Sequence, residues 1–389
     1  MKISQFIIFI TVVLTVYLIG NLYIFFKGYN VIPPTRQNKL LYIIIFIALA
    51  TTFFAGQVLE SLHTSVFSDI LNTIGGFWIG FLLYGFLFLF VSDITELLMK
   101  ITGLMNSQLI PEYRKWAFII SMILSVIIIS GGFINTLIPV VRQYKLTIEK
   151  STDGISDLRI AAVSDIHIGS IIRKRSVKKL SGILERVKPD VVFLLGDIID
   201  GDIGPVLRGD LLKYLNVPGT EHGLYGIAGN HEFIGEAGKT ISYIESKGIR
   251  LLKDEKIVLP GGIQVYGRLD SHSFRFMNKH RLTLDELMKD ADHSRPVILL
   301  DHQPVQLELS ERAGVDLQLS GHTHNGQMWP INYITKKLFE VSYGYLKKGK
   351  THIIVSSGFG SWGPRIRLGS RSEVVVIDLS FADSRQTNN

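Results

Sequence analysis

The 389-residue chain contains no cysteine. That excludes a disulfide framework and any metal site built on thiolates, and it leaves the redox compartment unspecified. Charge is scarce too: Asp, Glu, Lys and Arg make up 19% of the residues, against about 25% in ordinary soluble domains. Of the 41 Lys and Arg, ten lie in residues 1–150 beside six of the 34 Asp and Glu, leaving 31 against 28 beyond. The net charge of +7 is therefore spread out. No basic stripe interleaved with aromatics exists, so a nucleic-acid partner is not expected. Internal repeats and low-complexity stretches are also lacking.

Long apolar runs are abundant in the first third. Phe6 to Phe26, Leu40 to Leu59, Ile70 to Val91 and Trp116 to Ile138 each approach the roughly 20 residues that cross a bilayer's hydrocarbon core. They predict a four-helix transmembrane anchor over residues 1–141. The first run is too long for a cleaved signal peptide and has no small-x-small site near Lys27, so it is expected to stay in the mature protein. Gly76-Phe77-Trp78-Ile79-Gly80 puts two glycines on one helical face, where a neighbouring helix can come close. No ionisable pair falls inside a run, which removes the usual marks of a proton relay.

Orientation follows from the basic residues. Lys27, Arg36 and Lys39 flank the first connection and Lys100, Arg114 and Lys115 the third, which places both in the cytoplasm and both termini outside. Lys2, Arg142, Lys145 and Lys150 oppose this, four against six. The balance favours a multi-pass protein of the cell membrane with an extracytoplasmic C-terminal domain.

Residues 142–157 read as a juxtamembrane linker, residues 158–382 as a catalytic domain and residues 383–389 as a disordered polar tail. In the domain, short runs such as Val191 to Leu195, Leu224 to Ala228, Val297 to Leu300 and Ile353 to Ser356 alternate with charged, helix-period segments such as Lys174 to Val187. This alternation predicts a layered α/β fold with strands buried on both faces. Polar residues cluster where the strands end. Asp165-Ile166-His167 leaves the first strand with both side chains on one side. Further on come Gly196-Asp197-Ile198-Ile199-Asp200, Gly229-Asn230-His231-Glu232, Asp301-His302-Gln303-Pro304 and Gly321-His322-Thr323-His324. Loops at the carboxyl ends of parallel strands share one sheet edge, so these five can converge on one crevice. One histidine at a strand end carries little information, but five such ends are hard to explain by packing.

The five blocks, in order and complete from Asp165 to His324, resemble the calcineurin-like metallophosphoesterase superfamily, with its D-x-H, G-D-x-x-D, G-N-H-E/D, lone His and G-H-x-H. The resemblance implies a four-layer β-sandwich flanked by helices and a metal-dependent phosphoester hydrolase. It makes Asp165, His167, Asp197 and His324 ligands of one metal, and Asp197, Asn230, His302 and His322 ligands of a second, with Asp197 bridging. It also makes His231, paired with Asp200, the group facing the leaving oxygen. Glu232 is read as supporting its loop.

Ligands of this kind suit two divalent ions, Mn²⁺, Fe²⁺ or Zn²⁺. Such a pair, about 3.5–4 Å apart, turns a bridging water into hydroxide in line with phosphorus. An imidazole oriented by a carboxylate suits protonation of a leaving alkoxide.

Asn325-Gly326-Gln327, Ser356-Ser357-Gly358-Phe359-Gly360, Pro364-Arg365 and the strand Glu373 to Leu379 resemble a bacterial membrane-associated branch similar to UDP-2,3-diacylglucosamine hydrolases. Asn325 stands where glycine is commonest there. Arg365 or Arg367 could hold a second phosphate in the bidentate manner of arginine. The spans, the basic-apolar Ile171-Ile172-Arg173-Lys174-Arg175, and an aromatic wall of Trp329, Tyr333, Phe339, Tyr343 and Tyr345 point to the bilayer as partner and a lipid-linked phosphodiester or pyrophosphate as substrate. A membrane-held nucleotide or protein phosphatase is one alternative. A catalytically inactive sensor or scaffold is another, though no ligand is missing.

Overall fold

The computed structural model describes residues 3–217, 219–274, 278 and 280–382; the tail 383–389, expected to be disordered, lies outside them. The chain forms two compact units.

The first unit comprises Met1–Phe133 together with Gly363–Ile366. Its long helices are α1 (Ile3–Val31), α2 (Arg36–Leu62), α3 (Val66–Ile101) and α4 (Ile110–Leu137), all four long and apolar enough to cross a membrane. The unit is apolar on the outside: Val16, Ile44, Ile70 and Ile127, among others, are each about half exposed, as expected of surfaces solvated by lipid. Polar contacts lie within, including Trp78 Nε1 donating to Asn21 Oδ1 at 3.0 Å. At the ends of the runs Lys27 pairs with Asp93, and Arg114 and Lys100 pair with Glu96. Lys115 also lies 3.6 Å from Glu112, so four of the six basic residues that set the expected orientation are ion-paired.

Glycine lets the backbones approach here, but the partners differ from the expectation. Gly75 faces the backbone of Phe53 in α2, whereas Gly76 faces Pro364 and Gly80 faces Ile366. The face formed by Gly76 and Gly80 therefore receives a four-residue segment from late in the chain rather than a helix.

The second unit, Ile134–Trp362 with Arg367–Asn389, holds two mixed six-stranded sheets. One has the order β1 (Val140–Ile148), β12 (Glu373–Phe381), β2 (Asp157–Val163), β3 (Val191–Leu195), β4 (Leu224–Ile227), β5 (Arg250–Leu251). The other has the order β10 (Gly344–Lys348), β11 (Thr351–Val355), β9 (Leu317–Ser320), β8 (Val297–Leu300), β7 (Ile263–Gly267), β6 (Glu255–Leu259).

The near-continuous apolar strands split by period two into layers. Leu158, Ile160, Ala162, Val191, Phe193 and Leu195 meet Val265, Ile298, Leu300 and Leu319 between the sheets. Ala161, Val163, Val192 and Leu194 turn outward under the helix Lys174–Val187. Val297 and Leu299 turn outward on the other side under Leu284 and Leu287. The result is the expected four-layer sandwich, helix on sheet on sheet on helix.

The linker expected over 142–157 needs correction. Only two residues separate α4 from β1, and β1 pairs in parallel along its whole length with β12, from Val140↔Glu373 to Ile148↔Phe381. Tyr144, Leu146 and Ile148 pack on the sandwich core while Gln143, Lys145 and Thr147 are exposed, a period-two signal hidden among charges. Ile172 turns into the core at 2% exposure, which leaves only the half-buried Ile171 for the apolar part of the expected headgroup contact at 171–175.

Gly75→Leu is expected to lower the melting temperature and folded yield in detergent, because α2 leaves no room for a side chain. Gly131→Leu, where a Cβ would meet nothing within 4 Å, should leave both unchanged.

Candidate metal centre

The loops that follow β2, β3 and β4 in one sheet and β8 and β9 in the other carry the candidate ligands to one place. β2, β3 and β4 run parallel, as do β8 and β9, so these loops leave the same edge of their sheets. Asp165, His167, Asp197, His322 and His324 all have φ between 48° and 71°. Non-glycine residues held there cost of order 1–3 kcal/mol each and persist only where the surroundings over-determine them. The loops also touch closely: a Cβ on Gly321 would overlap Ser164 Oγ, and one on Gly229 would overlap Asp197 Oδ1.

Two donor sets result. In the first, His167 Nε2 and His324 Nε2 lie 3.1 Å apart. Asp165 Oδ1 is 3.4 Å from His324 Nε2 and 4.0 Å from His167 Nε2. In the second, His302 Nε2 lies 3.2 Å from Asp197 Oδ2 and 3.2 Å from Asn230 Oδ1, which is 2.9 Å from His322 Nδ1. Asp197 Oδ2 is also 3.9 Å from His167 Nε2, so this carboxylate borders both sets.

The donor chemistry fits metal ions. His167 donates Nδ1–H to Asp200 Oδ1 at 3.0 Å, and His302 donates Nδ1–H to Leu195 O at 2.7 Å. Each histidine therefore turns its Nε2 lone pair inward, towards carboxylate and amide oxygens that also carry only lone pairs. Acceptors facing one another in a buried site repel unless a cation lies between them. Bonds of about 2.1 Å in a tetrahedral site would separate such atoms by roughly 3.4 Å, close to the spacings seen.

Around the donors stand residues that orient them. Asp200 Oδ1 accepts from His167 and, at 3.2 Å, from His231 Nδ1. One carboxylate oxygen thus fixes both a donor and the expected acid. Burial opposes charge on His231, but the Asp200 hydrogen bond and the Asp197 and Asp200 charges outweigh it, raising the imidazole to about 9. Burial and the neighbouring His302 push His322 down to about 4.

Glu232 is fully buried, and its carboxylate accepts from the backbone N–H groups of Gly229, Asp197 and Ile199 at 2.7, 2.9 and 2.9 Å. It joins the loops after β3 and β4. The segment Ser356–Gly360 closes over the first donors, with Phe359 N donating to Ser164 O and Gly360 N to Asp165 O at 2.9 and 2.8 Å.

The seven expected ligands, with His231 and Asp200, are therefore brought together; the two arginines are not. Arg365 falls in the helical unit, its guanidinium 5.7 Å from the centre of the Phe133 ring. Arg367 is 0% exposed. It donates to Gly360 O at 2.6 and 2.9 Å and to Ser370 Oγ at 3.1 Å, and its Nη2 lies 3.1 Å from His324 Nδ1. A guanidinium without accessible surface cannot grip a substrate phosphate, so the phosphate-binding reading of Arg367 is replaced by one in which it ties the Gly360 carbonyl to Ser370 beside the first donor set.

A further cluster was not anticipated. Asp270, just past β7, accepts from His272 Nδ1 at 2.9 Å and from Gln303 Nε2 at 2.8 Å, beside His302. Asp270-Ser271-His272 repeats the strand-then-D-x-H pattern of Asp165-Ile166-His167, and that was the available signal.

A family model described as calcineurin-like phosphoesterase matches residues 158–326. An uncharacterized metallophosphoesterase of Aquifex aeolicus is 32% identical over 264 residues, 66% of this chain and 98% of the relative. The chain belongs to the calcineurin-like metallophosphoesterase family. It is thereby a hydrolase of phosphoric esters, and metal dependence comes with the family. A metallophosphoesterase of Helicobacter pylori is 34% identical over 57% of this chain and 60% of its own length. A Danio rerio protein named transmembrane protein with metallophosphoesterase domain is 25% identical over 68% of this chain and 63% of its own.

In this metallophosphoesterase, Glu232→Gln is expected to leave one loop N–H without its acceptor. The catalytic unit should lose about 1–3 kcal/mol of stability, read from the urea midpoint in detergent, and its metal content after dialysis should fall.

Proposed function

We propose that the protein hydrolyses a phosphodiester or pyrophosphate bond of a lipid-linked substrate at a two-metal site, in the manner of the UDP-2,3-diacylglucosamine hydrolase-like branch. The observation that carries the reading is the pair of donor sets sharing Asp197, with His231 beside them on Asp200. Asp165, His167 and His324 would hold one ion and Asn230, His302 and His322 the other, with Asp197 common to both. When bound, the two ions supply an activated water and neutralise charge on the phosphate oxygens.

The protein's own residues supply the rest. Asp200 takes His231 Nδ1–H, which leaves Nε2–H as the proton to be given to the departing alkoxide. Asp200 and Asp197 favour the cationic form of that ring. His167 shares the Asp200 oxygen, so the acid and a ligand keep a fixed separation. Four membrane-spanning helices in the same chain support a lipid-linked substrate, because tethering raises the effective concentration of the domain at the bilayer surface.

The test begins with metal analysis and hydrolysis of bis(p-nitrophenyl) phosphate by the full chain in detergent. Asp197→Ala should abolish both the activity and part of the metal content. Phospholipid and lipid-pyrophosphate substrates should be cleaved faster than nucleotides or phosphopeptides; the reverse order would assign the site to a nucleotide or protein phosphatase. His231→Ala should lower turnover about 10²–10⁴-fold with alkoxide leaving groups and far less with p-nitrophenolate, which needs no proton, with both metals retained. Loss of an ion in that variant would make His231 a structural residue.

A further inference from the structure

The helix Ile331–Leu338 is amphipathic in the inverse sense. Its buried positions are polar, Asn332 and Thr335, while Tyr333, Ile334 and Leu338 are 57, 59 and 74% exposed. Ile334 and Leu338 are four residues apart and Tyr333 lies next to them, so they form one outward apolar strip. Soluble proteins turn such a strip inward.

The inversion is held in place. A Cβ on Gly326 would overlap the Asn332 backbone and Thr335 Oγ1, so the helix lies directly against the loop that carries His324. Trp329 N donates to Leu368 O at 2.6 Å. Gln327 and Trp362 exchange hydrogen bonds of 3.0 Å in both directions. Trp362, 58% exposed, stands with its ring centre 6.4 Å from that of His231, and Trp329 is 48% exposed. Lys336 and Lys337 occupy the last turn, both exposed.

Of the aromatic wall expected from sequence, Tyr343 instead donates to Glu373 at 3.1 Å, and Tyr345 Oη lies 2.8 Å from His352 Nδ1. Trp329 and Tyr333 remain on this face.

We propose that this face, Trp329, Tyr333, Ile334 and Leu338 with Lys336 and Lys337, docks into the headgroup and upper acyl region of an anionic bilayer. Apolar side chains enter the acyl boundary, tryptophan and tyrosine suit the interfacial layer, and the two lysines meet lipid phosphates. A bilayer is at hand, because the chain carries four spans and β1 starts two residues after α4. The docking does not depend on which phosphoester is cleaved. Its consequence is that the His324 loop and Trp362 lie where lipid headgroups are.

The cysteine-free chain permits a direct test. The full-length protein is placed in nanodiscs of equal parts phosphatidylcholine and phosphatidylglycerol, with a single label at Ile334→Cys, Leu338→Cys or, for comparison, Val258→Cys on β6, a position 60% exposed. Labels at 334 and 338 should be quenched several-fold more by lipid-borne doxyl groups than the label at 258, and shielded from an aqueous nickel chelate. Combining Lys336→Glu with Lys337→Glu should reduce that quenching, as should discs of phosphatidylcholine alone. Labels at 334 and 338 as water-accessible as that at 258 would overturn the proposal. So would shielding that grows with protein concentration instead of lipid, the mark of a protein partner. Neither readout requires a substrate, so failure here and failure of the proposed lipid phosphoesterase activity remain separate results.

Discussion

Asp197 is the residue on which the catalytic unit depends. Its Oδ2 borders both donor sets, its Oδ1 accepts the backbone N–H of His231 at 2.8 Å, and its own N–H is held by Glu232. Burial raises a carboxylate's pKa, yet the imidazoles of His302, His231 and His167 hold Asp197 well below the usual range. A buried carboxylate in a ring of histidines is tolerable only if positive charge is present. That requirement explains why five loops from two sheets are drawn together, and why residues within them accept left-handed backbone conformations that cost free energy.

Much of this could be read from the residues. Apolar strands ending in Gly-Asp, Gly-Asn-His and Gly-His-Thr-His marked the carboxyl edge of a sheet, and the structure gathers all seven expected donors there. Short apolar runs such as Val191 to Leu195, alternating with helix-period segments such as Lys174 to Val187, were legible as strands buried on both faces, and hence as layers. What could not be read depended on folding back over long sequence distances. Arg367 reads as a phosphate-holding arginine because nothing local indicates that Gly360 and His324, 7 and 43 residues away, enclose it. Strand β1 was missed because only its Tyr144, Leu146 and Ile148 face the core, and Arg142 and Lys145 break the apolar run. The left-handed φ values at aspartates and histidines have no compositional signature, unlike those at glycine.

The helical unit obeys a different rule. Its outer surface is apolar because its solvent is hydrocarbon, and its polar residues turn inward or gather where the runs end. The pairing of Lys27 with Asp93 and of Arg114 and Lys100 with Glu96 satisfies long side chains that would otherwise extend toward headgroups. The helix Ile331–Leu338 follows the same inverted rule inside a domain whose other helices, such as Lys174–Val187 with Val177, Leu180 and Leu184 buried, follow the soluble one. One chain thus holds helices of both patterns, and the inverted pattern occurs in both of its compact units.

Strand β12 has a consequence for how the protein is made. It lies between β1 and β2, parallel to the first and antiparallel to the second, yet it comes from residues 373–381, more than 200 residues further along the chain. When the ribosome has delivered the spans and most of the sandwich, β1 and β2 still have a gap between them that no other described strand fills. Each presents an unpaired backbone edge until Glu373–Phe381 is made. The first sheet is therefore completed through contacts separated by more than 200 residues, which is the slow step expected of non-local β pairing. A nascent chain stalled before Glu373 would be left with its long helices made and two open strand edges.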